Sequence, residues 1–155
     1  MTGKIDARLK ELGLSLPAPP APVASYVPFV VSGHHVFTSG QVTIDAGQLK
    51  YVGVVGRDLS LEDGQAAARL CAINVLAQAK AACEGDLDRV KRVVKLVVFV
   101  NAVPDFTKHP EVANGASDLF VDVFGDAGRH ARSAVGAGSL PRGVACEVEA
   151  IFEIA

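Results

Sequence analysis

The clearest polarity pattern lies at the C-terminal end of the chain. Cys146, Val148, Ala150, Phe152 and Ile154 alternate with Glu147, Glu149 and Glu153. A period of two predicts a strand with one buried face and one wet face. The run that begins at Arg132 is also extended in character, and Leu140-Pro-Arg-Gly143 joins the two. Proline fixes φ there and glycine is free to take positive φ, so the join reads as a turn and the pair as a hairpin. Such a hairpin can bring Arg132 on its first arm near Glu147 on its second. That pairing is either a plain salt bridge or a site that grips a carboxylate and positions a water.

Other elements follow from the same patterning. Ile5 to Leu14 reads as a short helix with Ile5, Leu9 and Leu12 on one side, ending near Gly13, and Pro17 to Pro22 as a stiff extended connector. Val27–Val31 and Val36–Val42 are strand-like, turned at Ser32-Gly33. Tyr51–Val55 is expected as a further strand after the Asp45-Ala-Gly-Gln turn. Ser60-Leu-Glu-Asp63 is a capping box opening an Ala-rich helix that runs to about Cys83 and stops at Gly85. Val90–Ala102 is dense in valine and is the most β-prone run. A second helix from about Pro110 to Phe124 places Val112, Ala116, Leu119, Phe120 and Val123 on one stripe, with Glu111, Asp118 and Asp122 opposite. The order ββ(β)αβαββ is that of one α+β domain, residues 1–155, with helices on one sheet face and residues 1–22 as a lead-in.

Composition narrows the function classes. The chain has 155 residues, 50% of them hydrophobic, with mean hydropathy +0.31, yet no stretch of about 18 apolar residues that would span a membrane. Its apolar excess fits either a subunit interface or a large Ala-rich core. Lys4, Asp6, Arg8, Lys10 and Glu11 interrupt the N-terminus before the apolar core of a secretory leader could form. Three widely spaced cysteines, Cys71, Cys83 and Cys146, have no metal spacing and read as small buried hydrophobes with reduced thiols. A cytoplasmic location is expected. His34-His35 has no partner cluster, so no metal is expected, and no glycine-rich phosphate cradle occurs. Net charge is −2, and the densest basic stretch, Arg89, Lys91, Arg92 and Lys95, has no interleaved aromatics, which argues against a nucleic-acid partner.

Arg-Ser-x-Val from Arg132, Leu-Pro-x-Gly from Leu140 and Glu-Val-Glu-Ala-Ile from Glu147 form an ordered set with Tyr26, Phe37-Thr-Ser-Gly-Gln41, Val97-Val-Phe-Val100, Asp105-Phe106 and Asn114. This set resembles the Rid family of reactive-intermediate deaminases, also called the YjgF or L-PSP endoribonuclease family, over roughly residues 24–154. The longer N-terminus looks like a longer-chain branch. The resemblance implies a chorismate-mutase-like fold, a mixed sheet with two main helices on one face, assembled as a homotrimer with sites between subunits. It implies cofactor-free hydrolysis of 2-imino or enamino acids such as 2-aminoacrylate to 2-oxo acids and ammonia. The partner would be a small imine or 2-oxo acid.

By the same resemblance Arg132 binds the substrate carboxylate and Glu147 directs the attacking water. Tyr26, Ser39, Gly40 and Asn114 line the pocket, and the backbone at Ala134 meets the nitrogen. Arginine is the preferred bidentate grip for a carboxylate, and a carboxylate can orient a water and take its proton. Each residue also has a plainer explanation: a strand arginine, a solvated acidic face, an aromatic packed at the end of a linker, a turn glycine, a helix-surface amide. Gly128-Arg-His-Ala131 replaces the usual Phe-Pro-Ala, which alters the pocket wall and leaves His130 either lining the pocket or sitting in a loop. A ligand binder without turnover and, as a poorer physical fit, an endoribonuclease are the competing functions.

Overall fold

The computed structural model describes residues 2–19 and 24–155. The expected proline connector therefore falls partly outside the described residues, at Pro20 to Pro22. Helix α1 spans Lys4–Glu11. Strands β1 (Phe29–Ser32) and β2 (His35–Thr38) form a hairpin closed by Gly33-His34, and β3 (Ile44–Asp45) and β4 (Gln48–Leu49) form a small one. Then come α2 (Leu61–Ala82), β5 (Val90–Asn101), α3 (His109–Phe124), β6 (Ala131–Ala137) and β7 (Cys146–Ile154). The main sheet has the order β1-β2-β7-β5-β6, with β5 and β6 parallel and the other neighbours antiparallel. No helix of the described residues is long and apolar enough to cross a membrane.

Two expectations are overturned. Tyr51–Val55 is not a strand: Tyr51 (φ 51°) and Gly53 (φ 145°) break the extended run, leaving isolated bridges from Val52 to Val144 and from Val55 to Ala102. Nor are β6 and β7 the arms of a hairpin. β5 lies between them, parallel to β6 through the α3 crossover and antiparallel to β7. Crossing one intervening strand means spanning about 10 Å, two strand spacings, which a tight turn cannot do. Residues 138–145 cover that distance, and Pro141–Gly143 is a 3-10 turn within them.

The helices form as their sequences require. The Ser60 hydroxyl accepts from the Asp63 amide at 3.1 Å while Asp63 accepts from the Ser60 amide at 3.0 Å, closing the capping box of α2. Helix α1 begins at Gly3, which has no capping side chain. Asp88 serves instead, accepting from the Lys4 and Ile5 amides, each at 2.8 Å.

α2 and α3 cover the face of the sheet that carries Val36, Leu96, Val98, Val148 and Phe152, all fully buried. The alternation of β7 holds along its length: Cys146 to Ile154 at even positions are buried, and Glu147, Glu149 and Ile151 are half-buried on the other face. Among the described residues, that other face carries no helix. Phe37, Ile151, Val97, Phe99 and Val135 lie on it, interleaved with Lys95, Glu147 and Glu149, and Phe37 is 44% and Val135 43% exposed.

The two long helices are in close contact at Gly115, where a Cβ would run into the Gln65 carbonyl of α2. Ala would gain about 1 kcal/mol of helix propensity at this position but would lose about 1–3 kcal/mol or more to overpacking against backbone. Gly115→Ala is therefore expected to lower the urea midpoint, and a raised midpoint would show that the helices can separate freely.

Candidate functional site

Arg132 lies on β6, the edge strand, in register with buried Leu96 and thus on the helix-covered face. From there its guanidinium reaches α3. Nη1 donates to Asn114 Oδ1 at 2.8 Å and to Ser117 Oγ at 3.1 Å. Asn114 and Ser117 are three residues apart and so share one side of the helix. Ser117 Oγ is also 2.8 Å from His130 Nε2, and His130 Nδ1 is 2.6 Å from the Gly128 carbonyl. No carboxylate pairs with Arg132 among the described residues. Neutral acceptors occupy Nη1, and a guanidinium has five N–H donors, so others remain for an anion. Ala134, two residues on, is in register with Val98 and packs against the core. As part of an edge strand, β6 turns one set of backbone groups away from β5.

Glu147 belongs to a second cluster. It is in register with Phe99 and so lies on the helix-free face, with β5 between it and Arg132. Partial burial, with Glu149 two residues on, raises its carboxyl pKa above the usual range. Gly40 follows β2, and a Cβ there would collide with the Glu147 carboxylate. Gly40 thus has to be glycine for that carboxylate to sit where it does. Ser39 Oγ donates to the Val27 carbonyl at 2.6 Å, and the Ser39 amide donates to the Pro28 carbonyl at 2.8 Å. These two bonds tie down the segment that presents Tyr26, which is 60% exposed.

The chemistry-bearing residues therefore form two half-sites on opposite faces of the sheet. Arg132, Asn114 and Ala134 make one. Tyr26, Ser39, Gly40 and Glu147 make the other. A single chain does not bring Arg132 and Glu147 into one pocket, because the expected hairpin is absent. Sequence reasoning missed Ser117; its place one turn beyond Asn114 was the available signal. His130, left open between pocket and loop, is half-buried with its ring edge-on to Phe120 at 6.1 Å. The three thiols are buried and unpaired with one another, and burial pushes Cys146 up to about 12, so they are inert core groups. No group of three or more His, Cys, Asp or Glu side chains converges among the described residues.

Residues 6–154 match the family model described as "YjgF/chorismate_mutase-like, putative endoribonuclease". The chain belongs to the YjgF family. It is 51% identical to Protein TCP17 of Trypanosoma cruzi, over 99% of this chain and 96% of that one. It is 33% identical to a 2-iminobutanoate/2-iminopropanoate deaminase of Salmonella typhimurium, over 85% of this chain and 89% of the other. Among solved structures, the Agrobacterium tumefaciens protein Atu1372, of unknown function, superposes with a TM-score of 0.91 at 49% identity, covering 97% of this chain and 93% of its own. The α+β mixed sheet of this YjgF-family chain, with α2 and α3 on one face, agrees with that membership.

Proposed function

We propose that the protein hydrolyses 2-imino and enamino acids to 2-oxo acids and ammonia, in pockets completed between copies of a homotrimer. The observation that carries this reading is Arg132, held by two neutral acceptors at the sheet edge with no carboxylate partner among the described residues. An always-charged fork that is oriented but unpaired is built for an external carboxylate. The helix-free apolar face supports assembly, since burying it against other copies would seat one copy's Glu147 half-site near another's Arg132 half-site. The relative named as an imine deaminase supports the reaction class.

The chemistry asks little beyond placement. Arg132 and Asn114 hold the carboxylate end, and the backbone at Ala134 meets the nitrogen. An enamino substrate first takes a proton from solvent on its β-carbon and becomes the protonated imine. Glu147 of the adjoining copy then takes a proton from water as its oxygen bonds to the imine carbon and the C=N electron pair moves to nitrogen. The resulting carbinolamine loses its protonated nitrogen as ammonia when the C–N bond breaks, leaving the 2-oxo acid. Water and substrate supply every atom, and no cofactor enters. Positioning and proton transfer suffice for an electrophile this reactive.

The test is hydrolysis of 2-aminoacrylate generated in situ by a dehydratase, measured against the uncatalysed rate, with the solution mass compared with three times the 16.1 kDa chain. A wild-type protein that binds 2-oxo acids without accelerating hydrolysis would be a binder, and the catalytic reading would be lost. Gly40→Ala gives a further expected result. The added methyl displaces a flexible carboxylate end and leaves backbone untouched, so the fold survives while Glu147 moves. kcat is expected to fall by roughly 10- to 100-fold with KM little changed, as a misplacement of about 1 Å produces. Steady-state kinetics beside a thermal melt would check both halves of that statement.

A further inference from the structure

We infer that His130 is a positioning residue which, acting through Ser117, sets the orientation of the Arg132 guanidinium. The inference rests on the reading of Arg132 as the carboxylate grip. His130 stands in the stretch Gly128-Arg-His-Ala131, between the 3-10 turn Gly125–Gly128 and β6.

The direction of each hydrogen bond can be worked out from the fixed end. A carbonyl only accepts, so the 2.6 Å contact from His130 Nδ1 to the Gly128 carbonyl puts the hydrogen on Nδ1. In the neutral ring Nε2 is then a lone pair. Ser117 Oγ, 2.8 Å away, has to donate to it. With its one hydrogen committed, Ser117 turns its lone pairs to Arg132 Nη1 at 3.1 Å. All three bonds point the same way, from guanidinium to carbonyl, so each polarises the next. Phe120 of α3 fixes the ring edge-on at 6.1 Å. Without His130, the hydroxyl could bond back to its own helix, as mid-helix serines do, and would hold Arg132 less firmly.

The surroundings favour the neutral ring. The groups facing it are Ser117 and Phe120 from α3, the Gly128 carbonyl from the preceding turn, and Arg132 from β6. Nearby Arg129 faces exposed Asp126 at 3.7 Å, and its carbonyl accepts from Arg92 of β5 at 3.2 Å. Burial and the Arg132 charge lower the His130 pKa below the ordinary histidine value. Protonation would put a second cation beside Arg132 and aim Nε2–H at Ser117, loosening the grip.

The experiment uses the full chain, isotope-labelled, and reads Arg132 guanidinium rotation and His130 ring nitrogens by NMR, with 2-oxobutanoate affinity by calorimetry. Wild type should show the Nδ1–H tautomer and slow rotation that quickens only as pH falls below the ordinary histidine value of about 6.5. Ser117→Ala and His130→Phe should speed rotation and weaken 2-oxobutanoate binding roughly 3- to 10-fold, the net effect of one hydrogen bond. His130→Gln restores an uncharged acceptor for Ser117, so affinity should return to within about 2-fold while the pH response of the rotation disappears. If Arg132→Ala abolishes binding but Ser117→Ala and His130→Phe behave as wild type in affinity and rotation, the relay is wrong and the grip stands. If wild type binds no 2-oxobutanoate, the grip reading fails. Rotation then decides the relay alone: rates unchanged in both variants overturn it, and faster rates support it.

Discussion

Arg132→Ala is expected to lower kcat/KM for 2-aminoacrylate hydrolysis by at least roughly 100-fold, on the order of 3 kcal/mol. Hydrogen bonds to a charged partner are worth about 1.5–3 kcal/mol each, and a fork can make two. The loss should appear largely in substrate binding, because the carboxylate is present in ground and transition states alike. Arg132→Lys retains the charge and loses the fork, so it should recover only part of the loss. Since Arg132 makes no ion pair within the described residues, the fold has no carboxylate to be orphaned by its removal. An alanine variant with wild-type turnover would end the carboxylate-grip reading.

Glu147→Gln should act on kcat, by roughly 10²- to 10⁴-fold, the usual contribution of a general base. The amide keeps the shape against Gly40 but cannot take the proton from water. The pH profile supplies a second check. Burial and Glu149 raise the pKa of Glu147, and a base works only when ionised. Wild-type activity should therefore fall with acid on a limb lying above the ordinary carboxylate value of about 4.3, and that limb should be missing from whatever rate the Gln variant retains.

The two variants together test where the site is made. Mixed and allowed to exchange subunits, Arg132→Ala and Glu147→Gln should regain roughly a quarter of wild-type activity, because some pockets then draw an intact arginine from one copy and an intact glutamate from its neighbour. A site confined to one chain would regain nothing. That outcome would contradict the placement of Arg132 and Glu147 on opposite sheet faces with β5 between them.

Much of the fold was legible because it is local. The capping box at Ser60, the alternation of β7 and the amphipathic stripe of α3 each depend on spacing within one segment, and each is present. Tyr51–Val55 misled because a valine-rich run after a turn says nothing of the positive φ adopted by Tyr51 and Gly53. The same limit applied to the site. Arg132, Glu147, Gly40 and Asn114 could be picked out by residue type and motif, whereas Ser117 stood out only once α3 was laid against β6.

By itself, then, the sequence determined which residues share a face, where helices start and stop, and which side chains can grip a carboxylate or take a proton. Those properties follow from backbone periodicity and side-chain chemistry, which act over a few residues. Only the tertiary structure decided that β5 separates β6 from β7, that Arg132 and Glu147 look out from opposite faces, and that His130 reaches Arg132 through Ser117. Strand neighbours are chosen by burial across the whole chain, where valine-dense β5 gains from an interior place between β7 and β6, and no local pattern encodes that choice.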